Sequence, residues 1–172
     1  MKIAVQENLV PGKDATERWA RARDWGFDGL ELRGAGGIKS RLPELRAARA
    51  AGMVASSICP DSGPFIGAFD AADRQTALTA LRDLLDVAAE IGAAGVITPA
   101  AYGIHSNRLP PFTPPRPPED DRTILTEALA TLGARGAGHG VPRGCVPVRR
   151  VRIHRDPSAC PIRARARRRR HP

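Results

Sequence analysis

Cysteine is scarce, and its three copies, Cys59, Cys145 and Cys160, make no C-x-x-C pair. An odd count without a signal peptide argues against a secreted disulfide framework and makes a reducing cytoplasm the expected compartment. No apolar run approaches the ~20 residues that cross a bilayer, so no membrane role is expected. The glycine-rich stretches lack nucleotide fingerprints. In Gly34-Ala35-Gly36-Gly37-Ile38-Lys39 a lysine stands where a dinucleotide loop needs its last glycine; Gly12-Lys13 has Glu7 in place of a phosphate loop's first glycine, and Asp14 in place of Ser or Thr.

The largest absence is regional. Residues 134–172 contain no Leu, Phe, Tyr, Trp, Met or Lys, and carry 12 Arg against the single Asp156, whereas residues 1–133 hold 15 Lys+Arg against 17 Asp+Glu. The net charge of +9 therefore belongs to the tail and says nothing about partners of the rest. Arg, Ala, Pro and Gly have GC-rich codons, so the tail has the composition of an out-of-frame reading, with the frame expected to be lost between about residues 134 and 142. Its set Cys145, His154, Cys160, His171 does not match zinc-module spacing. Arg149-Arg150 and Arg167-Arg168-Arg169-Arg170 have the charge density for non-specific polyanion binding, without interleaved aromatics to stack on bases.

What is present is ordered alternation. Lys2–Gln6 is a β-branched strand. Asp14 caps a helix with Glu17 three residues later, and Ala15, Trp19, Ala22 and Trp25 form its apolar stripe. The second strand lies in Phe27-Asp28-Gly29-Leu30-Glu31-Leu32. Leu42, Leu45 and Ala48 mark a second helix opened by Pro43, and Met53–Cys59 a third strand. Asp70 and Asp73 cap a long helix carrying Leu78, Leu81, Leu85, Ala88 and Ile91, and Gly95–Pro99 is a fourth strand. After a proline-rich stretch, Glu119-Asp120-Asp121 opens a helix on Ile124, Leu125, Ala128, Leu129 and Leu132, running into Gly133. Four strands each followed by a helix imply a parallel sheet with right-handed crossovers. A fifth apolar strand does not follow.

Gly26-Phe27-Asp28-Gly29-Leu30-Glu31-Leu32-Arg33-Gly34 is the organising stretch. Alternation sends Glu31 to the face opposite Leu30 and Leu32, where a carboxylate is either a site residue or a buried acid with a structural partner. His105 and Tyr102 follow the fourth strand, where barrel enzymes place site residues, although an exposed loop histidine and a packing tyrosine are the alternatives.

Lys2-Ile3-Ala4-Val5-Gln6-Glu7, Gly26–Leu32, Leu42-Pro43-Glu44-Leu45, Ser56-Ser57-Ile58-Cys59, Ala89-Glu90-Ile91-Gly92-Ala93, Gly95-Val96-Ile97-Thr98-Pro99 and the acidic turn at Glu119 together resemble the sugar phosphate isomerase/epimerase family. The resemblance covers about residues 1–133 and implies the amino-terminal half of a xylose isomerase-like (β/α)8 barrel, four βα units, with residues 134–172 as a disordered basic tail. It further implies proton transfer through an enediolate assisted by a divalent ion (Mn, Mg, Co or Zn), acting on a sugar or sugar phosphate. In that family the metal-binding Glu, Asp, His and Glu come from the fifth to eighth strands, which have no counterpart here. The chain is accordingly expected to hold no cofactor of its own and to be inactive. What carries over is the substrate-facing wall of the first half: Gln6, Glu7, Glu31, Cys59, Pro99, Tyr102 and His105. Unpaired sheet edges make self-association an expectation. The alternatives are an apurinic-endonuclease-like member of the same superfamily and a non-catalytic nucleic-acid binder acting through the arginines of the tail.

Overall fold

A computed structural model describes residues 2–34, 37–60, 63–98 and 116–138. Three short strands, β1 (Ala4–Gln6), β2 (Gly29–Arg33) and β3 (Ala55–Cys59), form a parallel sheet in the order β1-β2-β3. Four helices accompany them: α1 (Ala15–Asp24), α2 (Leu42–Ala50), α3 (Ala71–Ile91) and α4 (Pro118–Gly138). Each strand pairs with its successor, and the fourth strand expected from the sequence extends the series. It is reduced to a single parallel bridge between Val96 and Ile58, where the Ile58 amide donates to Gly95 and the Ile97 amide to Ile58. This unreversed order is that of a barrel wall; a doubly wound sheet turns back on itself at a switch point.

Burial explains the sheet's two faces. Leu30, Leu32 and Ile58 share one core cluster with Trp19 and Ala22 of α1, Leu45 and Ala48 of α2, and Leu81, Leu84, Val87 and Ile91 of α3. Neighbouring helices pack in chain order, α1 on α2, α2 on α3 and α3 on α4. Asp14 caps α1 as the sequence predicts, accepting from the Glu17 amide at 2.8 Å; at α3 Asp70 alone caps, accepting from the amides of Ala72 and Asp73, and Asp73 lies in the first turn. Gly92 ends α3 in the left-handed region at φ 67°.

Four details differ from the sequence expectation. Trp25 lies past the last turn of α1 and is 54% exposed, so the stripe ends at Ala22. In α3 the deepest positions include Leu84 and Val87, with Leu78 and Leu85 only partly buried, because the helix turns toward both the sheet and its neighbours. The strands start later, at Ala4 and Ala55, leaving Val54 exposed. Finally, α4 continues through Gly133 and Gly136 to Gly138, each interior glycine costing a helix about 1 kcal/mol.

Candidate functional site: the polar face of the sheet

Parallel pairing sets Gln6 of β1 beside Glu31 of β2, and Glu31 beside Ser57 of β3. Alternation turns this row away from the leucines, onto the face opposite the helices. The Gln6 side-chain amide Nε2 donates to Glu31 Oε1 at 2.7 Å, and the Ser57 hydroxyl donates to Glu31 Oε2 at 3.1 Å. Each flanking strand thus contributes one donor to one oxygen of the same carboxylate. Glu31 is half-buried, Gln6 exposed and Ser57 buried, so the row is reached from the Gln6 side.

Ser57 arrives there through an irregularity. Leu30 pairs with Ala55 but Glu31 with Ser57, so β3 carries one extra residue, Ser56, whose hydroxyl bonds the Leu30 carbonyl at 2.9 Å. A bulge of this kind re-aims the side chain that follows it. Alternation carried forward from the buried Ala55 would send Ser57 and Cys59 alike to the helix face, and it is the family resemblance, not periodicity, that singles out Cys59 in the sequence.

One step nearer the carboxyl end, Arg33 pairs with Cys59. Burial pushes the Cys59 thiol pKa up, the Glu31 charge adds to the rise, and Arg33 opposes it. The thiol therefore stays protonated at neutral pH and serves as a small, weakly polar surface.

Glu7, the next residue after β1, is spent differently. It is 2% exposed and accepts from the Arg33 amide at 2.6 Å and from both terminal nitrogens of Arg41 at 2.8 Å, with Arg18 at 3.5 Å. Burial alone would raise its pKa; the Arg41 hydrogen bonds, the Arg33 amide and the charges of Arg41 and Arg18 outweigh it and hold the carboxyl below its ordinary value. Glu7 in turn raises the pKa of Arg41, which also reaches the Arg33 carbonyl and Glu44. Glu44 caps the first amide of α1, at Ala15, at 2.7 Å. One part-buried cluster, built on the buried Glu7, thus clamps the end of β2 between the starts of α1 and α2.

Of the residues singled out in the sequence, the structure brings together Gln6, Glu31 and Cys59, and places the Glu7 carboxylate in the clamp behind them. Pro99, Tyr102 and His105 lie outside the described residues. Ser57 and Arg33 complete the wall. As a metal site the described residues do not suffice: they contain no group of three or more His, Cys, Asp or Glu placed to hold an ion, and Glu31 is flanked by an amide and a hydroxyl rather than by further anionic donors.

The family model for the xylose isomerase-like TIM barrel matches residues 19–146. The 3-dehydro-D-guloside 4-epimerase of Escherichia coli (strain K12) is 30% identical over 155 residues, covering 90% of this chain and 59% of that protein. Among solved structures, the apo 3-keto-D-glucoside 4-epimerase from E. coli matches with a TM-score of 0.74 and 30% identity, over 82% of this chain and 54% of that one. A D-allulose 3-epimerase from Methylomonas sp. in complex with D-allulose matches in fold, with a TM-score of 0.62 and 16% identity over 82% of this chain and 49% of that one. The chain thus spans between about half and three fifths of the length of these relatives.

Proposed function

We propose, on the premise that this chain belongs to the xylose isomerase-like TIM-barrel family, that it supplies the substrate-facing first wall of a sugar epimerase or isomerase and does not turn over sugar by itself. The observation that carries this reading is the row Gln6, Glu31, Ser57, which places a half-buried carboxylate on the sheet face opposite the helices, held from both sides. Such a carboxylate binds and orients hydroxyls, and Arg33 and Cys59 extend the surface toward the carboxyl ends of the strands, where barrel enzymes place their sites. By the family resemblance, Pro99, Tyr102 and His105 are proposed to contact the substrate as well. Glu7 supports the wall through Arg41 and the Arg33 amide. In the family a divalent ion supplies Lewis-acid chemistry to an enediolate; this wall lacks the donors to hold it, and the base that moves the carbon-bound proton belongs to strands beyond the fourth.

The experiment is an epimerase and isomerase assay of the full chain with manganese, magnesium or cobalt, on ketoses, ketose phosphates and a 3-keto-glucoside. No measurable turnover is expected. Turnover abolished both by a chelator and by Glu31→Gln would overturn the reading of inactivity. We further assign the arginine-rich residues beyond α4 to an out-of-frame reading. One of the other two frames beyond codon ~134 should then encode a strand with an acidic end followed by further βα units; if neither does, the tail is selected sequence.

A further inference from the structure

We infer that the Gln6–Glu31–Ser57 row selects ligands by their hydroxyl protons, so that the row, as distinct from the Arg33 end of the wall, takes the hydroxyl face of a neutral polyol, a free sugar or glycoside, and rejects a phosphorylated end. The inference rests on the sugar-wall reading above and deepens it. It follows from the direction of each hydrogen bond. A carboxylate only accepts, so the Gln6 amide and the Ser57 hydroxyl both face Glu31 as donors, at 2.7 and 3.1 Å, one to each oxygen. Each Glu31 oxygen keeps a second acceptor site, and the two lie side by side, suited to two adjacent hydroxyls. Committing the Ser57 proton leaves its oxygen as an acceptor, and Gln6 keeps its carbonyl and one amide proton. The row is thus predominantly acceptor in character around a negative charge. A phosphate, which is anionic and accepts, meets like charge there; a hydroxyl donates into it.

Glu31 is the ligand contact, and Gln6 and Ser57 are positioning residues that act through it. The bulge at Ser56 makes this possible. It turns Ser57 to Glu31 while the Ser56 hydroxyl closes the gap on the Leu30 carbonyl, so the two neighbouring serines have separate roles.

The test is an NMR titration of the 15N-labelled full chain with methyl α-D-glucopyranoside and with D-glucose 6-phosphate, read at the Gln6 side-chain amide and at the Glu31 and Ser57 backbone amides. The glucoside should bind at least about tenfold more tightly than the phosphate, the ratio expected for one charge-assisted hydrogen bond exchanged for repulsion. Glu31→Gln, which turns one acceptor into a donor, should narrow that ratio to near one, and Ser57→Ala should narrow it partly, with Ser57→Thr restoring it. A ratio unmoved by Glu31→Gln, or a preference for the phosphate, overturns the inference and leaves the sugar wall standing. No shift with either sugar overturns the wall reading and the inference with it.

Discussion

At residue scale, Glu7 shows how a carboxylate at a strand's carboxyl end can be structural: it follows β1 directly, yet Arg41 grips both its oxygens and the Arg33 amide points into it. Its folded pKa lies below the ordinary 4.5, so the unfolded chain binds its proton more readily. The clamp's contribution is therefore present in full above the unfolded value and is lost as pH falls through the lower folded one. Glu7→Gln should lower stability at neutral pH by about 2 to 4 kcal/mol, because it leaves Arg41 partly buried without its anion, and should flatten the acid limb of the stability profile. Urea denaturation from pH 7 down to pH 3 checks both; an acid limb unchanged by the substitution would remove Glu7 as the titrating group. Sequence reading placed Glu31 on the right face because alternation within one strand is local. Glu7 could not be assigned that way, since its partner Arg41 is 34 positions away and the pair exists only once α2 has packed.

At the scale of elements, helix ends are where local sequence and tertiary contact meet. Gly92 and Gly52 both take positive φ, 67° and 88°, but a Cβ at Gly52 would meet nothing, whereas one at Gly92 would collide with the Arg49 guanidinium that bonds the Ile91 carbonyl. Gly52→Ala should cost about 1 kcal/mol of backbone strain alone. Gly92→Ala should cost about 2 kcal/mol, because Arg49 must also swing away and give up its bond. Urea midpoints of the two variants compare them directly, and equal losses would mean that Arg49 contributes nothing to the end of α3. The start of α4 is held in a comparable way. Arg116 donates to the carbonyls of Gly67 and Ala68, pairs with Asp121 at 2.6 Å and lies over the Phe69 ring, joining α4 to the loop that precedes α3. The acidic first turn announced this helix. That one of its acids, Asp121, is buried against Arg116 was not visible, because an acid at a helix start is as readily explained by the dipole.

For the whole molecule, the decisive feature is that the described sheet runs from β1 to the bridge at Val96 without closing. Large apolar side chains stand exposed at both ends of that order: Ile3 and Leu9 beside β1, and Ile97 beside β3's far neighbour. Parallel edges flanked by apolar residues template pairing with another chain. Sedimentation of the full chain should therefore show dimers or larger species, and Ile97→Lys should shift the distribution toward monomer. A monomer at all accessible concentrations with a single cooperative melt would count against an open half-barrel and favour a self-contained domain.

Sequence by itself determined the alternation of strands and helices, the caps at Asp14 and Asp70, the polar face of β2 and the regional split in composition, because each depends on neighbours within a few residues. Tertiary structure alone decided what the polar residues do. The donors that hold Glu31 come from strands 25 and 26 positions away, one of them displaced by a bulge that no periodicity in β3 signals. The clamp that occupies Glu7 needs α2 packed beside β2, and among the described residues the fourth strand meets the sheet through a single bridge to Ile58. Periodicity assigns a residue to a face, but a hydrogen bond needs two groups in one place, and only packing brings together groups so far apart along the chain.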